Sequence, residues 1–347
     1  MSRIYLDWNA TTPLRPEARA TMIAAMDVVG NPSSVHAEGR AAKALVERAR
    51  ADIAAALGAD GADIVFTSGA TEAAALACAG RDLACAEVEH EAVAAWCDPV
   101  LAVDSAGQVY VDAPAQACVQ LANSETGIIQ TLPQGVAVSD LTQAFGKIPM
   151  AFNWLGCDMG LVSAHKIGGP KGVGAVVLRR GIELQPQLRG GGQEMGRRAG
   201  TENIIGIAGF AAAATAAARD LATGVWEEIA ELRNILDQAL SAGPNKTISV
   251  GKGGSRLPNT LCIIAPGWKG ETQVMAMDLA GFAVSAGSAC SSGKVRASRV
   301  LRAMGFEDGL AGQAIRLSLG PGVTRDDVLR FAEVWTAAYA KARSRAA

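Results

Sequence analysis

The sequence is poor in the features that mark several common classes of protein. It has no block of lysine and arginine: 32 basic residues stand against 34 acidic ones, a formal net charge of −2 over 347 residues. A dedicated nucleic-acid or membrane-surface binder carries a basic stripe, so neither direct nucleic-acid binding nor membrane attachment is expected. No run of about 18 uninterrupted apolar residues occurs, and the opening MSRIYLDWNATTP lacks the apolar core of a secretion signal. A cytoplasmic location is the expectation. The seven cysteines, Cys78, Cys85, Cys97, Cys118, Cys157, Cys262 and Cys290, are scattered singly with no CxxC pair. That spacing speaks against a disulfide framework and against a clustered zinc site, and most of them read as small buried apolar residues.

What is present is ample material for a core, since half of the residues are hydrophobic, enough for one large core or a core plus a smaller lobe. Helical patterns cover about Pro16 to Val29 and Ala37 to Leu57, and then the period changes. ADIVFTSG (62–69) has the form of a short buried strand ending in glycine, followed directly by the helical TEAAALACAG; CVQLAN (118–123), MGLVSA (159–164) and GVGAVVLRR (172–180) are similar strand-like runs. AGFAAAATAAARDLA (208–222) is a tightly packed helix. Strands alternating with helices predict an α/β fold with a mostly parallel sheet, whose ligands sit at the carboxyl ends of the strands. Past about residue 223 come a long helix (225–241), scattered strands (247–250, 259–265, 282–285) and a last helix that opens at Thr324 with Asp327 three residues on. This predicts a large domain over 16–223 and a smaller α+β domain built from 1–15 and 224–347.

Three loops carry chemistry. TSGATE (67–72) presents backbone N–H groups at a helix amino terminus beside the Ser68 and Thr71 hydroxyls, an arrangement suited to phosphate or simply to close packing. SAHKIGGPKG (163–172) sets Lys166 just after a buried strand, where desolvation readies an amine for Schiff-base chemistry; Lys171 is its rival in the same loop. VSAGSACSSGK (284–294) surrounds Cys290 with small residues that cannot cover it, which predicts an exposed, reactive thiol, unlike the other six.

Ten segments in order resemble one family: YLDWNATTP (5–13), NPSSVHAEGR (31–40), FTSGATE (66–72), EHEAV (89–93), ANSETG (122–127), DLTQAFGKIP (140–149), SAHKIGGPKG (163–172), GGGQEMGRRAGTEN (190–203), VSAGSACSSG (284–293) and AIRLSLG (314–320). The chain is similar to the NifS/IscS-like cysteine desulfurases of the class V aminotransferase family. The resemblance implies a fold type I enzyme with a seven-stranded type of sheet, dependent on pyridoxal 5′-phosphate, that converts L-cysteine to L-alanine. Sulfur would be retained as a persulfide on Cys290 and passed to an acceptor such as an iron–sulfur scaffold protein. By resemblance Lys166 is the amine that bonds the cofactor aldehyde and then the base at Cα; Asp140 pairs with the pyridinium nitrogen, Gln143 with the phenolic oxygen, and His90 stacks on the ring and handles the substrate thiol proton. Ala70, Thr71, Ser163 and His165 bind the phosphate, joined by Thr201 from the second subunit of a homodimer. Arg316 grips the substrate carboxylate, and Ser124 lies near cofactor and substrate.

The chain departs from the family at several places. Ser124 stands where Asn is usual, as does Trp8; Gly168 replaces an aromatic residue after Lys-Ile, and Met195 replaces an Arg. The chain is also shorter than typical members around 91–122 and 240–260. On the residues alone, His36 reads as a turn-stabilising group, and Arg197 with Arg198 as ordering the loop that leads to Thr201. Rival readings are selenocysteine lyase or desulfhydrase chemistry on the same scaffold, and a non-catalytic scaffold protein; the presence of Lys166, Cys290 and Arg316 weighs against the last.

Overall fold

The computed structural model describes residues 3–242, 247–287 and 297–346. Its main sheet runs in the order Asp63–Thr67, Gly174–Leu178, Cys157–Ser163, Val136–Asp140. Isolated bridges from Val138 to Cys118 and from Ala117 to Ala84 extend it through the segment 117–121 to the paired strands Ala84–Ala86 and Asp98–Leu101. Seven extended segments thus lie side by side. The pairings are parallel except at Gly174–Leu178, which is antiparallel to both neighbours. The segment 117–121 has the backbone bonds of a strand, with Cys118 N donating to Ala84 O and Val119 N to Val138 O.

Alternation along these strands builds two cores, one on each face of the sheet. Ile64, Phe66, Ala175 and Val177 pack against the helices Ala37–Leu57 and Ile204–Ala222, while Val65, Val176, Leu178 and Met159 pack against the helix Ala70–Cys78. The helix Ile204–Ala222 is long and apolar enough to cross a membrane, yet Phe210, Ala213, Ala214 and Ala217 are fully buried in the first of these cores. His36 caps the helix Ala37–Leu57, its ring accepting from Gly39 N. Gly58 ends that helix at φ 60°, where a Cβ would stand 2.6 Å from the Ala151 side chain. His36 therefore does the turn-stabilising work that its residue type suggests.

A second sheet, Ser285–Ala286, Ala314–Ser318, Thr260–Ile264 and Ile248–Ser249, is antiparallel. Its core joins Trp226, Leu236, Leu261, Ile263, Leu317, Phe331, Trp335 and Tyr339 from the sheet and from the helices Val225–Ser241 and Arg325–Ala346. The last helix begins with the reciprocal cap that its sequence predicts: Asp327 N donates to Thr324 Oγ1 and Thr324 N to Asp327 Oδ2. The amino-terminal strand Ile4–Tyr5 pairs with Phe282–Ala283, and Leu6 N donates to Ala283 O, so the first residues run along this second unit toward the main sheet.

Candidate active site

A cavity of about 700 Å³ opens where the carboxyl ends of the main strands meet the second sheet; Ser68, Thr71, Asp140, Lys166 and Arg316 are among the residues on its wall. Each side chain on the main-sheet wall is delivered by a strand end. Asp140 is the last residue of Val136–Asp140, Ser163 the last of Cys157–Ser163, and Lys166 closes the 3₁₀ turn Ala164–Lys166 that follows. Lys166 is half-buried, whereas Lys171 in the same loop is exposed. Its Nζ donates to Asn9 O at 2.6 Å and to Ala10 O at 2.8 Å.

At the far end of the cavity, Gly69 precedes the helix Ala70–Cys78 at φ 154°. Gly174 on the adjoining strand lets this turn approach, because a Cβ there would come 2.7 Å from Gly69 Cα. The turn therefore offers backbone N–H groups and the Thr71 hydroxyl close to Ser163, a cradle suited to an anion. His165 holds the opening in place: its carbonyl accepts from Thr12 N and Oγ1, and its Nδ1 meets Thr11 Oγ1 at 3.2 Å. Burial, helped by the nearby Lys166, Lys171 and Lys147, pushes the His165 pKa down to about 4, so the ring is neutral at pH 7.

Beneath Lys166 lies a buried polar hub centred on Asn9, which is 1% exposed. Its carbonyl also accepts from Gln143 Nε2 at 3.0 Å, and its Oδ1 accepts from Lys147 Nζ and Asn259 Nδ2, both at 3.0 Å. Lys147 Nζ donates to Gln143 Oε1 at 2.6 Å as well, which fixes the amide nitrogen of Gln143 as the group free to donate on its other side. Burial, then the positive charges of Lys166 and Arg316, push the Lys147 pKa well below the usual lysine value.

The opposite wall belongs to the second sheet. Arg316 Nη2 donates to Asp7 Oδ1 at 2.7 Å and Nη1 to Ser124 O at 3.1 Å, while its buried Nε has no hydrogen-bond partner among the described residues. Ser124 thus enters the site through its carbonyl. His90 caps the short helix Glu91–Ala94, Nδ1 accepting from Ala92 N at 3.1 Å, which leaves Nε2 as the ring nitrogen available to another partner.

The sequence-predicted residues therefore converge with two exceptions. Cys290 lies outside the described residues. Thr201 is exposed and sits in a separate hollow with Arg198 and Glu202, not on the wall of the main cavity of its own chain. The loop before Thr201 is pinned by Arg197 to Asp63 and Arg198 to Glu72, each at 2.8 Å, and by Glu194, which takes both Arg50 nitrogens at 2.9 Å and Phe66 N at 3.0 Å. Glu194 and Met195 both adopt left-handed backbone, φ 49° and 56°, a strain held by those contacts.

The departures from the family pattern also find physical reasons. Trp8 packs its indole on Gly320, where a Cβ would stand 2.0 Å from the ring. At Gly168, φ is 88° and a Cβ would meet Arg15 Cγ at 2.4 Å, because Arg15 lies across the turn with its Nε on Ile167 O. Residue-by-residue reading did not single out Lys147 or Glu125. Glu125 accepts from Ser298 Oγ at 2.6 Å, and a Cβ on Gly287 would come 2.9 Å from it, so it lies close to both Gly287 and Ser298. Burial, only partly offset by Ser298 and Arg316, pushes its pKa up to about 7. An acid that stays inside a motif such as ANSETG was the available signal.

An anion cradle, a half-buried amine, a carboxylate and an oriented amide donor around one cavity fit a phosphate-bearing pyridine aldehyde, the chemistry of pyridoxal 5′-phosphate. The chain matches the aminotransferase class-V family over residues 4–98 and 100–331. It is 40% identical to a cysteine desulfurase of Cereibacter sphaeroides, covering 96% of this chain and 95% of that one, and 35% identical to the cysteine desulfurase IscS of Dictyoglomus turgidum, covering 94% and 91%. The NifS-like protein of Rickettsia africae has a similar structure, with TM-score 0.88, 32% identity and coverage of 97% and 99%.

Proposed function

The chain belongs to the aminotransferase class-V family, whose fold type I enzymes use pyridoxal 5′-phosphate, and from that premise we propose that it is a cysteine desulfurase that takes sulfur from L-cysteine onto Cys290. The observation that carries this reading is the Lys166 amine, half-buried at a strand end between Asp140, Gln143 and the Gly69 turn. The bound cofactor supplies an electron sink that acidifies the substrate Cα–H and opens the substrate sulfur to attack.

The rest is the work of this chain. Ala70, Thr71, Ser163 and neutral His165 hold the phosphate, with Thr201 of the second protomer of a homodimer completing the cradle. Asp140 keeps the ring nitrogen protonated, and Gln143, aimed by Lys147, donates to the phenolic oxygen. Arg316 binds the substrate carboxylate beside the Ser124 carbonyl, and Lys166 moves the Cα proton. His90 takes the substrate thiol proton. The Cys290 thiolate then attacks the substrate sulfur: an S–S bond forms as the C–S bond breaks, the carbon fragment takes protons and leaves as L-alanine, and Cys290 keeps the persulfide. The net reaction, thiol plus L-cysteine to persulfide plus L-alanine, needs no outside oxidant. The enzyme works in the cytoplasm as two lobes, 16–223 and 1–15 with 224–347, and passes sulfur to acceptor proteins such as an iron–sulfur scaffold.

The test is the Cys290→Ser variant mixed with L-cysteine. The expected result is a yellow protein whose spectrum still changes on adding substrate, with no alanine and no protein persulfide. Alanine release at the wild-type rate would overturn the role of Cys290 and favour a lyase.

A further inference from the structure

The scattered cysteines do not stay scattered in the fold. Cys78 ends the helix Ala70–Cys78, Cys85 is the middle of the strand Ala84–Ala86, Cys97 precedes Asp98–Leu101, and Cys118 lies in the segment that bridges Ala84 and Val138. The Sγ atoms of Cys78, Cys97 and Cys118 all lie within 4.8 Å of one another, and the Cys85 thiol stands against that of Cys97. Cys78, Cys85 and Cys118 are fully buried. This corrects the expectation drawn from spacing: three cysteines with no CxxC pair are nevertheless clustered, because separate elements converge at one point.

Cys157 and Cys262 show what isolated packing cysteines look like, each sitting in a different hydrophobic core with no other thiol of the described residues beside it. Cys78, Cys97 and Cys118 converge around one point instead. Arg81 and Arg299 lie close enough to act on the thiols of this group and of Cys85 electrostatically, as do Glu89 and Asp98, and Arg299 also donates to Glu89 O at 2.6 Å.

We propose that Cys78, Cys97 and Cys118 form a three-thiolate site for a soft cation, Zn²⁺, that staples the rear of the active site, with the Cys85 thiol beside Cys97 at its edge. Binding releases three protons and involves no electron transfer. A Zn–S bond of about 2.3 Å places tetrahedral sulfurs roughly 3.8 Å apart, so these three thiols need to close by no more than about 1 Å. The staple joins elements whose other ends face the cavity: the helix Ala70–Cys78 begins at the anion turn, Gln120 lies two residues after Cys118, and His90 lies seven before Cys97.

The experiment uses the full-length holoenzyme in a Cys290→Ser background, purified under reducing conditions. Expected are about one zinc per chain by elemental analysis and, after chelation, a Co²⁺ titration with thiolate-to-metal charge-transfer absorption. Cys97→Ser should abolish that absorption and the rise in melting temperature on adding Zn²⁺; Cys157→Ser should keep both. If Cys97→Ser fails to fold, Cys78→Ser is read in its place, with the absorption weakened and shifted. No zinc together with no Co²⁺ band in the reduced Cys290→Ser protein would overturn the site, as would an unchanged band in Cys97→Ser or a disulfide among these residues in the native protein.

Discussion

The two walls of the cavity are built on opposite plans. On the main-sheet wall the groups that would meet a cofactor are aimed by carbonyls and an amine: carbonyls of Asn9 and Ala10 hold Lys166, and Lys147 holds Gln143. On the second wall Arg316 is already engaged by a carboxylate, Asp7, with Ser285 Oγ donating to the other Asp7 oxygen at 2.8 Å. Asp7 offers Arg316 the same functional group that an amino-acid substrate would bring. The cofactor wall is thus prebuilt, whereas the substrate wall is held in readiness by an internal carboxylate that must share its arginine.

The most severe way to break this comparison is on the prebuilt side. Lys166→Ala removes the amine and the base together, and turnover measured as alanine release should fall by at least roughly 1,000-fold, with loss of the yellow colour; Lys171→Ala should retain both. On the substrate wall, Arg316→Lys exchanges a fork for a point charge. KM for L-cysteine should rise about 10- to 100-fold, with a smaller change in kcat. Asp7→Asn leaves a buried guanidinium without its counter-ion and should cost about 3 kcal/mol of stability. Added L-alanine should then raise the melting temperature of Asp7→Asn more than that of the wild type, and an equal rise in both would refute the shared-arginine picture.

Smaller effects sharpen the contrast. Lys147→Met keeps the bulk and frees the Gln143 amide to turn, so apo-enzyme titrated with pyridoxal 5′-phosphate should bind up to about tenfold more weakly. Unchanged affinity would show that Gln143 needs no aiming. Glu125 offers the mildest test. Its folded pKa of about 7 lies above the ordinary glutamate value of 4.5, so the folded state holds the proton more tightly. Its contribution is complete below about pH 4.5 and is lost as the pH rises to 7; Glu125→Gln should remove this slope in denaturant melts, a difference of about 1–2 kcal/mol after screening.

Much of this was legible in the chain. The helix Ala37–Leu57 shows in its periodicity, the strand Asp63–Thr67 in its compact apolar run, and the capping pair Thr324 and Asp327 in its spacing. The strand that delivers Asp140 was not, because VAVSD is short and flows directly into the turn LTQAF without glycine or proline to mark its end. Ala314–Ser318, which carries Arg316, was found as a motif and not as a strand, although Gly320 and Pro321 mark its end. Cys78, Cys97 and Cys118 were invisible as a group since their proximity is set by sheet order, with Cys118 lying between strands that come before and after it in the chain. Local spacing carries no trace of such a contact.

Asn9 gives the site an order of assembly. Its backbone N–H donates to Ser318 Oγ and its side chain meets Asn259 and Thr260, partners that lie 250 to 309 residues further along the chain. Contacts separated by 250 to 309 residues cannot close during the early part of synthesis. The perch for Lys166 on the Asn9 carbonyl is consequently finished only after Ser318 has emerged, and a chain cut before that residue presents the lysine without its seat.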